Sequence, residues 1–359
     1  MSTLNSEESI EEFERKFAQY IGVNHAVAVS SGTAGLMVAM MAFVSGPGQS
    51  VVTTPLTFIA TANSALVAGG IPLFADVQRE TLNLDPSKAL GLPGRNERTV
   101  FVPVHLYGLP ADIESIRRER NPGEVIIEDA AQSLGASVGG RKIGSQGELC
   151  VFSFYSTKHI PLGEGGMITT NDESVAEKCR MIRSHGQQGQ YYHVILGYNF
   201  RMPHMLALRG IELLSGIDRI VEKRRKTAEV YMRELKDIPG LTFQLPRSNV
   251  RHAYYKFPIL LDLPVKLRAS DVARALTKKT RKTIGTGYGR LIYQQPLYQN
   301  MANSFWAANF LKYPDYNTWH CPIAEELISK IVELPTDESV DSEKAVAISE
   351  AFRSELKVI

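Results

Sequence analysis

Lys158 stands just past an apolar run at residues 150–154, in the string Phe152-Ser153-Phe154-Tyr155-Ser156-Thr157-Lys158-His159, and Gly163-Glu164-Gly165-Gly166 follows it. An amine at the end of a buried strand is desolvated, and a nearby cation lowers its pKa further, so a neutral amine is available to form an imine. A second run, Val125-Ile126-Ile127-Glu128-Asp129, ends in carboxylates. An acid in that place can keep a pyridine nitrogen protonated, which turns the ring into the electron sink that carbanion chemistry needs. A third stretch, Val27-Ala28-Val29-Ser30-Ser31-Gly32-Thr33-Ala34, runs from a strand through a small polar turn into a helical segment. Backbone N–H groups at such a helix start, with the Ser31 or Thr33 hydroxyl, make a phosphate site. Each feature also has a plainer reading: a solvated loop lysine, a helix cap at Asp129, and an ordinary turn at Gly32. The turn is not a nucleotide P-loop, because Gly-Lys-Ser/Thr is missing.

These residues sit at the ends of a repeating pattern. Short β-rich runs at 26–30, 51–54, 72–75, 100–104, 125–128, 150–154 and 167–170 alternate with helical stretches. Such alternation predicts an α/β fold, and runs that are nearly all apolar predict strands covered by helices on both faces. Ligands in open α/β sheets bind beyond the carboxyl ends of the strands, where the three polar segments lie. Ile10, Phe13, Phe17, Tyr20 and Ile21 predict an opening amphipathic helix that ends at Gly22, with Ser9 and Glu12 as its capping box. A long helical stretch over 205–236 precedes the turn Asp237-Ile238-Pro239-Gly240. The expected division is a large domain, 1–236, and a small C-terminal α+β domain, 237–359, with a strand at 254–261 and helices at 270–282 and 342–356.

The bulk composition narrows the function classes. With 359 residues, 44% hydrophobic and 22% charged, the chain reads as an ordinary folded protein. Forty Lys and Arg against 38 Asp and Glu leave a net charge of +2, which gives no reason to expect nucleic acid or an anionic membrane as a partner. The basic runs 223–226 and 278–282 read as solvated helix faces. Cys150, Cys179 and Cys321 form no spaced pair, so neither a disulfide framework nor a metal cluster is expected. No apolar signal core opens the chain and no run is long enough to span a bilayer, so a cytoplasmic location is expected.

The segments resemble the DegT/StrS family of PLP-dependent sugar aminotransferases, a branch of the fold type I aspartate-aminotransferase superfamily. The resemblance runs from the first helix to about residue 235. It rests on the strings at 28–34, 57–63 (Thr-Phe-Ile-Ala-Thr-Ala-Asn), 103–108 (Pro-Val-His-Leu-Tyr-Gly), 128–132 (Glu-Asp-Ala-Ala-Gln), 153–158 and 197–202 (Gly-Tyr-Asn-Phe-Arg-Met). It implies a large domain with a seven-stranded, mostly parallel sheet, and pyridoxal 5'-phosphate held as an internal aldimine on Lys158. By the same resemblance Asp129 pairs with the pyridine nitrogen and Gln132 contacts the phenolic oxygen. Gly32, Thr33 and Ser153 match phosphate-binding positions, and Phe58 matches an aromatic residue that stacks on the ring. Asn199 matches a residue that reaches across a two-fold interface to the neighbouring subunit's cofactor, which implies a homodimer with shared sites.

The implied reaction is ping-pong transfer of an amino group from L-glutamate or L-glutamine to a keto sugar, expected to be nucleotide-linked. Relatives acting as PMP-dependent sugar dehydratases carry His in place of the lysine, so Lys158 favours transamination over dehydration. A non-catalytic regulator on the same fold is the other alternative. His159 is read as a pocket-wall or structural residue, and His105, His185 and His204 as structural. The C-terminal third departs from the family pattern: Gln295-Pro296-Leu297-Tyr298 replaces a Pro-Leu-His string, and Thr336-Asp337 replaces Met-His. Tyr191, Tyr192, Arg201, Tyr288, Arg290 and Tyr298 are candidate pocket contacts or structural residues.

Overall fold

Apolar strands need a helical layer on each face, and the computed structural model supplies both. It describes residues 6–44, 46–263, 268–301 and 312–357. The strands are β1 (His25–Val29), β2 (Ser50–Thr53), β3 (Ile71–Phe74), β4 (Val100–Val102), β5 (Val125–Asp129), β6 (Leu149–Ser153) and β7 (Gly166–Thr170). They form one sheet in the order β1-β7-β6-β5-β4-β2-β3. Only β7 runs against its neighbours, so the other six send their carboxyl ends to the same edge. All seven predicted runs are strands, and they make the expected α/β architecture with a seven-stranded, mostly parallel sheet.

One face of the sheet is covered by α1 (Ser6–Ile21), α5 (His204–Leu214) and the start of α6 (Ile217–Leu235). The rings of Phe13 and Phe17 on α1 meet those of Phe154 and Phe152, with centroids 5.6 and 5.1 Å apart. On the other face, α2 (Gly32–Phe43), α3 (Ala60–Val67) and α4 (Glu173–Arg183) bury Leu36, Val38, Met40, Ala65 and Ile182. Burying a Leu, Val, Met or Ile side chain contributes roughly 1.5–3 kcal/mol.

Two local expectations are corrected. The opening helix starts three residues before Ser9, which is fully buried within it and therefore is not its cap. The stretch 205–236 is two helices, broken at Ser215-Gly216, where Gly216 caps α6. The break lets α5 lie on α1 while α6 runs on into the last third of the chain.

Strands β8 (Leu241–Phe243), β9 (Lys256–Leu261) and β10 (Ile331–Pro335) make a separate antiparallel sheet in the order β8-β9-β10. It packs with α7 (Ala269–Thr280), α8 (Ser342–Lys357) and the last turns of α6, where Ala228, Tyr231 and Leu235 are buried. Tyr231 donates a 2.9 Å hydrogen bond to the Pro335 carbonyl. Helix α6 thus contributes to two cores, one on each side of the expected boundary. The stretches 291–301 and 312–327 instead pack on β3 and α3, with Phe74 surrounded by Tyr293, Tyr298 and Tyr316.

Close helix packing gives the first prediction. A Cβ on Gly210 of α5 would lie 2.5 Å from Cζ of Phe13, whose ring is fully buried. Gly210→Ala should lower stability by about 1–2 kcal/mol despite alanine's better helix propensity, seen as a lower urea midpoint. An unchanged or raised midpoint would mean that the α1–α5 contact yields freely.

Candidate active site

The pleat of β5 sends its last two carboxylates to opposite sides. Asp129 is buried, with Oδ2 accepting from the Thr61 hydroxyl at 2.8 Å and Oδ1 from the Ala131 N–H at 3.1 Å. Burial pushes its pKa up, while these two bonds and the charge of Lys158 pull against that shift. Glu128 turns away and accepts from the backbone N–H of Gln146 (3.1 Å) and of Gly147. His105 Nδ1 accepts from Ala111 N–H at 2.9 Å, so its proton sits on Nε2 and is donated to Glu128 Oε2 at 3.1 Å. His105 is therefore a buried structural residue behind the site, as expected.

Beyond β6 the chain makes a tight turn, closed by Lys158 N–H to Tyr155 O at 2.8 Å and Leu162 N–H to Phe154 O at 2.9 Å. Within it Lys158 is half-buried, and its Nζ lies 4.2 Å from the centroid of the Tyr255 ring. Burial lowers its pKa from 10.5 to about 8; Asp129 opposes the fall, and Lys256 and Arg224 add to it. His159 points elsewhere. It is buried, its pKa lies well below the ordinary imidazole range because of that burial, and neutral Nε2–H donates to the Ala253 carbonyl at 3.1 Å. That is the structural reading of His159.

The seam between β1 and β6 is unusually close. Gly166 on β7 pairs with Val29 on one side and Ser153 on the other. A Cβ at Gly166 would stand 2.7 Å from the Ser31 carbonyl oxygen, and one at Gly32 would stand 2.8 Å from Ser153 Cβ. Ser31 caps α2, its Oγ accepting from Ala34 N–H at 3.0 Å. This brings the helix start, Thr33 and Ser153 together at one end of a cavity of about 480 Å³.

Gly32, Thr33, Phe58, Asp129, Gln132, Ser153 and Lys158 all line that cavity. Phe58 is 57% exposed, which rules out the core-packing alternative for its ring. Gln132 accepts from Tyr107 N–H and donates to the Tyr288 hydroxyl, both at 2.7 Å, so Tyr288 joins the wall from the C-terminal third. Asn199 does not line the cavity; it is exposed and bridges Ser184 through the backbone. Tyr191, Tyr192, Arg201 and Arg290 are exposed outside it, as are His185 and His204. Tyr298 is 1% exposed and donates to Asn63 Oδ1 at 3.1 Å inside the aromatic cluster, so it is structural and not a pocket contact.

Sequence reasoning missed Thr61, Tyr155, Glu164 and Tyr255. Thr61 belongs to a string that stood out, and its threonine type was the available signal. Tyr255 had none, because only the fold brings it to Lys158.

Together these residues fit PLP. The backbone cradle at Ser31–Thr33 suits a phosphate, Phe58 offers an open ring face, the buried Asp129 suits a cationic ring nitrogen, and the depressed amine suits imine formation. A mostly parallel sheet with this amine and carboxylate at its carboxyl edge defines a fold type I PLP-dependent enzyme. More narrowly, the chain belongs to the DegT/DnrJ/EryC1/StrS aminotransferase family, whose model matches residues 2–353. A UDP-N-acetyl-3-dehydro-alpha-D-glucosamine 3-aminotransferase from Acidithiobacillus ferrooxidans is 32% identical over 356 residues, covering 96% of this chain and 87% of that one. The structure of Helicobacter pylori PseC, an aminotransferase of pseudoaminic acid biosynthesis, superposes with a TM-score of 0.87 at 26% identity, covering 98% of this chain and 92% of that one. That of NtdA from Bacillus subtilis, solved with bound PMP, has a TM-score of 0.83 at 25% identity, with 97% and 77% covered. The cofactor of this enzyme is PLP.

In the cofactor-free protein, the labelling rate of Lys158 by acetic anhydride should rise with pH through a midpoint near 8 instead of 10.5. Asp129→Asn removes a negative charge that favours the ammonium form, so the midpoint should fall further. Peptide mapping across a pH series measures both, and a wild-type midpoint near 10 would show that the amine is fully hydrated.

Proposed function

We propose that this chain is a sugar aminotransferase that moves an amino group from L-glutamate or L-glutamine to a keto sugar in two alternating half-reactions. The observation that carries the reading is a lysine with a pKa of about 8 and a buried carboxylate opening into one cavity. PLP, when bound, supplies the electron-withdrawing ring and the carbonyl that exchanges amines. Lys158 is the residue that would hold it, and once freed by an amino donor its Nζ would be the group that carries the proton. Asp129, held in place by Thr61 and Ala131, would keep the ring nitrogen protonated. Gln132 would hold the phenolic oxygen, Gly32, Thr33 and Ser153 the phosphate, and Phe58 would lie against the ring. The same pocket would serve both half-reactions, the amino donor leaving as a 2-oxo acid and the keto sugar leaving as an amino sugar.

A keto-sugar acceptor linked to a nucleotide is supported by the name of the Acidithiobacillus relative. Among the described residues no helix is long and apolar enough to cross a membrane, and the three cysteines are free and buried. Both features suit work in the cytoplasm.

The absorption spectrum with PLP tests the donor half. Wild type should show the band of lysine-linked cofactor, lose it on adding L-glutamate or L-glutamine, and release stoichiometric 2-oxo acid. Lys158→Ala should show no linked band and lose roughly 10³-fold or more in turnover. Borohydride trapping at another lysine, or PLP that no amino acid converts, would sink the reading.

The working unit is a homodimer with shared sites. Tyr191, Tyr192, Val194, Leu196, Met205 and Leu208 leave apolar side chains exposed along one stretch of the chain, close in sequence to the exposed Asn199. If Asn199 serves the neighbouring subunit's site, mixing inactive Lys158→Ala with inactive Asn199→Ala should restore up to about a quarter of wild-type activity after subunit exchange. A mixture that stays inactive although heterodimers form would place Asn199 outside the partner's site.

A further inference from the structure

Tyr255 is absent from every motif above, yet it meets the lysine loop at two points. Its ring centroid lies 4.2 Å from Lys158 Nζ, and its hydroxyl makes a 2.7 Å hydrogen bond with the Thr157 hydroxyl, one residue before the lysine. The ring lines the same cavity as Lys158. It also lines a second cavity of about 370 Å³ on the other side of the loop, shared with Thr157, Lys158, Arg224 and Lys256. Tyr255 therefore forms part of the wall between the two spaces.

Its backbone is fixed firmly. Tyr255 N–H donates to the Tyr107 carbonyl at 2.8 Å, and its own carbonyl accepts from Arg224 Nη1 at 3.1 Å and Thr336 Oγ1 at 3.2 Å. The preceding residue, Tyr254, is held at φ 47°, a conformation rare for an aromatic side chain, with its ring stacked 3.7 Å from His252. Ala253 accepts the His159 proton. Residues 253 to 255 thus grip the Lys158-His159 pair from the C-terminal third of the chain.

We propose that Tyr255 is a positioning residue for Lys158: its ring backs the amine, and its hydroxyl, tied to Thr157, fixes the loop so that the amine is presented to the cavity. The inference deepens the transaminase reading, since it rests on Lys158 as the group that moves the proton. A cation over an aromatic face is favoured by the ring quadrupole, more so when water is excluded. The other charged or titratable groups acting on the lysine are Asp129 at the end of β5, Arg224 on α6, Lys256 on β9 and Glu333 on β10.

The test compares Tyr255→Leu, Tyr255→Phe and Thr157→Val by labelling the cofactor-free protein at Lys158 across pH, and by steady-state kinetics of the loaded enzyme. Leucine keeps the space apolar but removes the π face, so the labelling midpoint should fall by roughly half to one pH unit. Its kcat should fall roughly ten- to a hundredfold with donor KM nearly unchanged. Phenylalanine should restore the midpoint. Tyr255→Phe and Thr157→Val each break the same tether, so the double variant should be no slower than either alone. That comparison stands even if the leucine variant does not fold. An unmoved midpoint with leucine, or additive losses in the double variant, would overturn the proposal. Failure of wild type to link PLP at Lys158 would instead sink the transaminase reading, while the labelling comparison would still report on Tyr255.

Discussion

The arrangement depends on an amine and a carboxylate taken out of water at the edge of one sheet. Desolvation raises Asp129 and lowers Lys158, so each works against the other's burial by offering a counter-charge. Neither group can be removed from that balance without leaving the other buried alone. The hydrogen bonds from Thr61 and Ala131 complete it on the carboxylate side, and the Tyr255 face does so on the amine side. A cationic ring nitrogen entering between α3 and β5 would stabilise the ionised Asp129 that burial disfavours, which is how an otherwise costly carboxylate becomes a binding group.

The sheet makes this possible through strand direction. Six strands end on one edge, so residues as distant in sequence as Ser31, Asp129 and Lys158 converge without any long excursion of the chain. The reversed strand β7 adds a constraint of its own. Because Gly166 lies between Val29 and Ser153, the carbonyl of Ser31 can approach its backbone closely, and the start of α2 is brought down onto Ser153. Side chains at positions 32 or 166 would open that seam and move the start of α2 away from Ser153.

What could be read from the sequence was what depends on local pattern. Apolar runs identified all seven strands of the large sheet, the motifs at their ends offered Gly32, Thr33, Asp129 and Lys158, and the family resemblance added Phe58, Gln132 and Ser153 to the same cavity. The errors were of two kinds. At Ser9 a good capping pattern lay inside a helix that already begins at Ser6, and the serine is buried within it instead of standing at its start. At 205–236 the helical period continues through Ser215-Gly216, and the break is set by the need of α5 and α6 to follow different cores. Tyr298 shows a third limit, since a tyrosine type does not reveal whether its ring faces a ligand or Phe74.

Tyr298 and Tyr255 together suggest how the C-terminal third diverges without disturbing the cofactor half. Tyr298 is bound into the aromatic cluster over β3, where its ring supports the edge of the large sheet and leaves the cavity wall to Tyr288 and Gln132. Tyr255, by contrast, reaches the lysine loop from β9, whose position is set by its pairing with β10 and by the Arg224 contact from α6. The same helix that joins the two cores therefore sets the distance between the small sheet and Lys158. A shift of the small sheet along α6 would move the Tyr255 ring relative to the amine before it touched Asp129 or the phosphate cradle. A shift in this part of the chain would thus reach the Lys158 amine through one aromatic contact, while Asp129 and the Ser31–Thr33 turn stay with the large sheet.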